Sequence, residues 1–573
     1  MNTKKLSYLF LLSALTLNSN CFAGEDFIDG KGYYEVTGTG TINKTIYGDY
    51  TEYGNLNSGE VQIGYTQYDH PTINGSNGLA IVGARSKEGN VDGGKVTVYY
   101  GTLNGDVYGG YADNGSVSNS EVHIMCTVRT NYEQTNFYGK NDGAAGSNNK
   151  LFLEVTNGRY NDNIIKSIHN FDEIHIPQLT WENGATFVKV KDSIDLSKTD
   201  IIIGDIRNTS GDVNVGDSYV VIKGENGLGL NDSEEKIKAF SGVATSMDAV
   251  LKKDSDEVKI VIEGKEINSQ TDLVAENRAV AAAFINQGTD LIADSLDVLS
   301  RDGKYGIKTF AAVHGNRSKY DVNSDLKING WSSIVGVGNE KNIGNGDFSW
   351  GVFYENGSGN YRTYNQFNNE FFRGDGSLVY NGGGIAARFE QDNGVYTEGS
   401  LRAGMLKSEM SNALKDGAGN SYGYKSESTY YGAHIGAGKI ISLNEATDLD
   451  VYGKFFHTYT DGDGFSVADD RFEFDSITSD RLRIGARLTT NKENKFSTYY
   501  GLAYEYEFNG DAQMRVKNMN TPEQSLKGSS CMAEIGMNYK PSSESPWSFD
   551  LSMRGYAGQR DGFSGNVQAT YTF

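Results

Sequence analysis

Two charged stretches near the C-terminus show the clearest placement of side chains. In Arg481-Leu482-Arg483-Ile484-Gly485-Ala486-Arg487-Leu488, the three arginines fall on one parity and Leu482, Ile484, Ala486 and Leu488 on the other. Downstream, Glu505 and Glu507 oppose Phe496, Tyr500, Leu502, Tyr504, Tyr506 and Phe508. Period two is the signature of a strand with two unlike faces. As antiparallel neighbours, such strands set Arg481, Arg483 and Arg487 beside Glu505 and Glu507, a charge network rather than a nucleophile with its base. Residues suited to catalysis are scattered. Gly216-Asp217-Ser218 matches the start of a serine-esterase block, but it sits at a turn and no Asp-x-x-His follows. There is no Gly-Asp-Ser-Gly serine-protease motif. His70, His123, His169 and His175 lack His-Glu-x-x-His spacing, and Cys126 stands apart. No catalytic, cofactor-binding or metal-binding residues are expected, and no cofactor. Arg373-Gly374-Asp375 is expected between two strands, where an Arg-Gly-Asp turn offers adhesive chemistry. Average residue usage yields roughly 0.1–0.2 such triplets by chance in a chain this long.

The elements that must hold these residues are mostly strands. The sequence has 71 Gly and 5 Pro, with 36 Tyr and 26 Phe. That balance suits long strands joined by Gly, Asn and Asp turns. The dyad pattern dominates from Tyr305 to the end, in about 12 strands, an even number as single-chain bacterial barrels have. Phe549, Leu551 and Met553 oppose Asp550, Ser552 and Arg554, and Val567, Ala569, Tyr571 and Phe573 oppose Asn566, Gln568, Thr570 and Thr572. A lipid-facing Arg costs about 2–4 kcal/mol at the midplane, so the polar face must point into a lumen. Asp392-Asn393-Gly394 and Leu443-Asn444-Glu445 read as tight turns. Ser411 to Ser426 and Asp461 to Asp480 read as long polar loops. Short inner turns and long outer loops place the C-terminus on the periplasmic side.

Ahead of this region lies one helix, Leu273 to Leu299, which Gly288 is expected to bend or divide. It is too interrupted by charge to face lipid, yet long enough to cross a bilayer-thick barrel. A soluble linker helix is the alternative. Further upstream a repeat recurs. Gly48, Gly83, Gly109 and Gly139 are each followed about 13 residues later by an apolar strand, at Val61, Val96, Val122 and Phe152. Units too small to close their own core bury a shared stripe by stacking, so a β-solenoid is expected, with an ordinary β-sandwich as the alternative. From Phe171 the texture changes, and a cap that protects the open end of the stack is expected.

The N-terminus reads as an export signal, with Lys4 and Lys5, an apolar Leu6 to Leu17 and cleavage after Ala23. Two cysteines in different domains, Cys126 and Cys531, make a disulfide unexpected. Formal net charge is -22 and mean hydropathy -0.49. The acidity disfavours nucleic acid, which requires a basic face.

In this order the chain resembles the autotransporters of Gram-negative bacteria (type V secretion). The resemblance rests on Asn277-Arg278-Ala279-Val280, Gly501-Leu502-Ala503-Tyr504-Glu505-Tyr506, Leu526-Lys527-Gly528-Ser529 and Tyr571-Thr572-Phe573. It implies a signal peptide at 1–23, a β-solenoid-like passenger at 24–170, a cap or autochaperone-like region at 171–266, a pore-threading helix at 267–300 and a 12-stranded antiparallel transmembrane β-barrel at 301–573. Tyr571 and Phe573 resemble the barrel-assembly signal, which implies the barrel-assembly machinery as a partner alongside outer-membrane lipid. The Asn-Asn pair of self-cleaving members is absent from the helix, so the passenger is expected to stay attached at the cell surface. An adhesive or structural passenger is expected, with a host-cell or bacterial-surface ligand; a displayed esterase or protease is the alternative.

Overall fold

The computed structural model describes residues 27–573, except 67, 127–130, 156–162, 182–185, 209–210, 301–304, 323–324, 368–369, 493 and 543. The export signal at 1–23 lies outside the described residues.

The N-terminal half is a solenoid-like stack of parallel strands. One ladder runs through Phe27–Asp29, Thr45–Tyr53, Leu79–Glu88, Asp106–Ala112, Asn131–Tyr138, Asn163–His169, Thr186–Val190 and Ser218–Gly224. A second runs from Tyr33–Val36 through Gly59–Ile63, Gly94–Val98, Glu121–Cys126, Lys150–Val155 and Glu173–Trp181 to Asp200–Asn208. In-register pairing turns the repeat into two inward columns. Ile46, Ile81, Val107, Phe137 and Ile168 form one. Val61, Val96, Val122, Leu151, Ile174 and Ile201 form the other. All are buried, and each buried aliphatic or aromatic side chain is worth about 1.5–3 kcal/mol. The repeated glycine marks where neighbouring backbone comes closest. A Cβ on Gly48 would collide with the Gly83 carbonyl, and one on Gly83 with the Gly109 carbonyl.

The change of texture at 171 is not a change of fold, because parallel pairing continues to Gly224. The antiparallel cap begins later, with Ser233–Ser241, Thr245–Lys253 and Glu257–Ile267. Glu257–Ile267 also pairs antiparallel with Ser218–Gly224 and so covers that end of the stack.

Helix α1 spans Asp272–Ser300. It is continuous through Gly288, contrary to the expected break. The glycine serves close approach instead: a Cβ there would lie 2.5 Å from Arg402 Nη1 and 2.8 Å from Glu355 Oε2.

Twelve strands form a closed antiparallel barrel around α1. They are β1 (Gly306–Asp321), β2 (Asp325–Asn342), β3 (Gly346–Phe367), β4 (Glu370–Gln391), β5 (Val395–Lys415), β6 (Ser421–Asn444), β7 (Thr447–Thr460), β8 (Ile477–Thr490), β9 (Phe496–Glu507), β10 (Gly528–Tyr539), β11 (Trp547–Gly558) and β12 (Arg560–Thr572). Pairing of β1 with β12 closes the ring and leaves no open edge. Outward residues such as Leu502, Leu551, Met553 and Val567 are exposed, and inward ones such as Asp550, Arg554 and Gln568 are buried. The expected long loop at Ser411 to Ser426 is largely strand, because β5 and β6 run on to Lys415 and from Ser421. Between β7 and β8 the chain folds into a hairpin, Asp463–Val467 with Asp470–Phe474.

Candidate functional site

The lumen and its outer mouth are where most of the buried charge converges. Three carboxylates of α1, Asp290, Asp294 and Asp297, follow helical spacing and so share one face. Asp290 Oδ1 accepts from Arg481 Nη1 at 3.1 Å and Arg483 Nη2 at 2.8 Å, while Oδ2 accepts from Arg560 Nη1 at 3.4 Å. Both carboxylate oxygens of Asp294 accept from Arg554, at 2.5 and 2.8 Å. Asp297 accepts from Arg388 at 2.8 Å, Arg487 at 3.1 Å and Lys454 at 3.2 Å. All three lie in the C-terminal half of the helix, and Asp297 is in its last turn, where the dipole disfavours negative charge. The wall cations therefore determine that the helix can sit there. Aromatic rings back them: Arg388 lies 3.6 Å from the Tyr396 ring centre and Arg560 3.8 Å from that of Tyr556.

The expected network of Arg481, Arg483, Arg487, Glu505 and Glu507 is brought into the lumen, with different pairings. Arg481 and Arg483 meet Glu505 at 3.3 and 2.7 Å. Arg487 stands opposite Gly501 and reaches Glu534 of β10 at 2.9 Å instead. Glu507 accepts from the Asp480 amide at 2.8 Å and from Ser479 Oγ. Alternation reveals the face of each residue, but register decides its partner. The helix acids are absent from the expected set, although their helical spacing is a readable signal.

Toward the N-terminal end of α1 the contacts mix apolar, neutral and charged groups. Phe284 fits over Gly330 and Gly359, where an added Cβ would lie 2.7 and 3.1 Å from its ring. Asn277 Nδ2 donates to Tyr424 Oη at 3.1 Å, and Arg278 Nη1 to Ser428 Oγ at 2.9 Å. Arg402 Nη2 donates to the mid-helix carbonyl of Ile285 at 2.8 Å and Nη1 to Glu355 at 2.9 Å.

Outside the lumen the cap is fastened to the barrel. Asp470, at the tip of the β7–β8 hairpin, accepts from the Val243 and Ala244 amides at 2.8 and 2.9 Å and pairs with Lys517 at 2.7 Å. Gln270 bonds the Val243 carbonyl and both backbone groups of Lys415. Asp205 accepts from the Gly242 amide at 2.7 Å and from Arg207 at 2.5 Å. Burial pushes its carboxyl up to about 6, with Asp416 adding to the rise and Arg207 opposing it.

The other residues singled out in the sequence do not converge in this way. Arg373-Gly374-Asp375 is not in a turn: it lies within β4, opposite Tyr364, Thr363 and Arg362 of β3. Ladder pairing with β3 holds the triplet extended, and Arg373 and Asp375, on the same face, pair with each other at 2.5 Å. Gly216 turns with φ +92°, and Asp217 accepts from the Asn214 amide and Tyr219 Oη, both at 2.8 Å. His123 sits between Glu121 and Glu154 at 3.0 and 2.7 Å, His175 beside Glu173 at 2.5 Å, and Phe152 stacks between the two rings. His169 stacks on Tyr138 and His70 meets Tyr100 edge-on. Tyr571 and Phe573 pack edge-on at 4.9 Å on the outward rim, and the Phe573 amide donates to the Ile307 carbonyl at 2.9 Å. Cys531 is exposed and free.

A closed barrel with an apolar exterior and a charged lumen is a transmembrane β-barrel of the outer-membrane type, here with a helix threaded through it. Residues 309–553 match the family model described as the autotransporter β-domain. The C-terminal barrel is an autotransporter β-domain, which places the chain in the outer membrane. Among solved structures it is similar to the β-domain of the Bordetella autotransporter Brka (14% identity, 47% of this chain, 100% of that chain, TM-score 0.38). It is also similar to the transport unit of AIDA-I from Escherichia coli (14% identity, 47% and 91%, TM-score 0.39) and to the translocator domain of NalP from Neisseria meningitidis (16% identity, 52% and 99%, TM-score 0.39). No curated protein matches the sequence.

Proposed function

We propose that the barrel anchors and helps export the N-terminal stack, which stays attached at the cell surface as an adhesive or structural module rather than an enzyme. The observation that carries this reading is the fastening at both ends of α1. Lumen cations hold its acids within the barrel, while Asp470, Gln270 and Lys517 seat the cap on the mouth. The N-terminus of α1 lies beside the β5–β6 and β7–β8 connections and its C-terminus beside Lys308 near the start of β1. With the longer connections outside, that polarity projects the stack away from the cell. A regular β surface offers contact area to a host-cell or bacterial-surface ligand without requiring a pocket. Export requires the barrel-assembly machinery to insert the barrel first; nucleic acid is not an expected partner.

Two measurements test this together. Protease added to intact cells should digest residues before Ile174; protection of that segment while surface control proteins are cut would defeat display. Cells carrying the full chain should adhere to extracellular matrix or to each other several-fold more than cells whose chain lacks residues 27–267. Equal adhesion would defeat the adhesive reading.

A further inference from the structure

Near its middle α1 and the barrel wall interlock in both directions. From the helix, the Phe284 ring enters the wall where Gly330 of β2 and Gly359 of β3 stand directly opposite each other; a Cβ on them would lie 2.7 and 3.1 Å from the ring. From the wall, Arg402, Glu355 and Tyr380 crowd the helix at Gly288, where a Cβ would lie 2.5 to 2.8 Å from all three side chains. Phe284 and Gly288 are four residues apart and share one helix face. The wall half is braced. Arg402 donates to the Ile285 carbonyl at 2.8 Å and to Glu355 at 2.9 Å, and Tyr430 Oη donates to Glu355 at 2.9 Å. Tyr430 reaches Glu355 across Gly404 and Gly382, which stand between them in one inward row. The Phe284 and Tyr380 rings meet edge to face at 5.6 Å.

Charge holds the helix but fixes its depth loosely. Asp290 and Asp294 are one turn apart, so a slip of one turn carries one acid to the other's place. The interlock has no such tolerance, because close-packed surfaces do not deform smoothly. One turn outward, Gly288 would leave the Gly330–Gly359 notch unfilled and Ile292 would meet Arg402 and Tyr380. One turn inward, Val280 would reach the notch and the Phe284 ring would meet Arg402 and Glu355. Either slip, roughly 5.4 Å, would also pull Gln270 from the Val243 carbonyl and from Lys415. We propose that Phe284 and Gly288, received by Gly330, Gly359, Arg402 and Glu355, are positioning residues that stop α1 at one depth in the barrel and so set where outward movement of the chain ends. The stop rests on the reading that the barrel exports the stack ahead of α1.

The test cross-links the full chain in outer membranes, with the native cysteines at 21, 126 and 531 replaced by Ser. Asn286 Nδ2 lies 2.8 Å from Ser479 Oγ, and Ala282 lies one turn away on the helix. Mild oxidation should link N286C to S479C about tenfold faster, or more, than A282C to S479C. V280F/F284G rebuilds the ring and the glycine one turn earlier, so it should reverse that preference in favour of residue 282. Variants are compared after heat-modifiable migration shows a folded barrel. F284A and G288A cover the case in which V280F/F284G fails to fold, and each should bring the two rates within about threefold. L296A, a buried leucine outside the interlock, should keep the parent's preference and so separates lost register from general loosening. An unchanged preference in V280F/F284G, an unchanged preference in both F284A and G288A, or an equal loss in L296A would each overturn the stop while leaving the docked helix in place. A parent that links at neither position would overturn the docked helix, and the stop with it.

Discussion

Replacing Asp290 with Asn removes one charge from the most crowded point of the lumen while keeping its shape. Asp290 is 1% exposed and holds Arg481, Arg483 and Arg560 at 3.1, 2.8 and 3.4 Å. Arg481 and Arg483 keep Glu505. Among the described residues Arg560 has no other ion pair within 4 Å and keeps Ser318 Oγ at 3.4 Å. Breaking a buried pair by removing one partner costs about 3–5 kcal/mol, because a charge is left uncompensated. The three contacts share one network, so their losses do not add, and a total of about 3–5 kcal/mol against helix docking is expected. At about 1.4 kcal/mol per factor of ten, the undocked helix becomes more populated by roughly 10²-fold to a few thousand-fold. Arg278 is 4% exposed inside the mouth, so tryptic cleavage after it reports departure of the helix. When closing outpaces cleavage, the rate follows the open population. Asp290→Asn should therefore speed cleavage at Arg278 in the folded, detergent-solubilised protein by about two orders of magnitude or more. The half-buried Asp272→Asn at the start of the helix serves as control. A rate within about threefold of the parent would refute the view that wall cations hold the helix.

Gly288→Ala should destabilise the plugged barrel by about 1–3 kcal/mol in a denaturant titration, because the new Cβ meets Arg402 Nη1 at 2.5 Å. On an exposed helix the same change would stabilise by about 1 kcal/mol, and a stabilised variant would argue against close approach. Gly83→Val should unfold the stack, seen as faster digestion before Ile174 than in the parent at the same protease concentration, with the barrel still heat-modifiable, since its Cβ would collide with the Gly109 carbonyl. Asp205 has a folded-state pKa raised from 3.8 to about 6 by burial. The folded stack therefore binds the proton more tightly than the unfolded one, and stability falls as pH rises from about 4 to about 6. The swing is at most about 3 kcal/mol, and Asp205→Asn should flatten it in melts of the end of the stack next to the cap, followed by trypsin. Replacing Tyr571 and Phe573 together with Ala should lower the amount of folded barrel in the outer membrane, measured by heat-modifiability; unchanged amounts would remove their role in assembly.

The strands of the barrel were legible because alternation is a local property, and Leu551 and Asp550 declare their faces from position alone. The stack was legible because one glycine offset recurs with its apolar strand. Register was not, since it depends on how distant strands slide past each other: parity alone sets Arg487 beside Glu505 and Glu507, whereas Gly501 stands opposite it. Gly288 reads as a break because intrinsic propensity speaks for an isolated helix, whereas here Arg402 and Tyr380 crowd that face. Arg373-Gly374-Asp375 has turn chemistry, yet its pairing with β3 overrides it. The cap starts later than its composition suggests because the parallel ladder continues after the glycine offset ends. Asp290, Asp294 and Asp297 carry no signal of their own strong enough to name a partner, because their meaning lies in the wall they face.

The most direct measurement is the sidedness of the chain in intact cells, read with a membrane-impermeant maleimide. In a background without native cysteine (Cys21→Ser, Cys126→Ser, Cys531→Ser), Tyr53→Cys reports an exposed point on the stack and Ser542→Cys the turn between β10 and β11. Labelling at 53, with 542 labelled only after the outer membrane is permeabilised, is the result expected of a displayed passenger on a plugged barrel. Labelling at 542 with protection at 53 would contradict it.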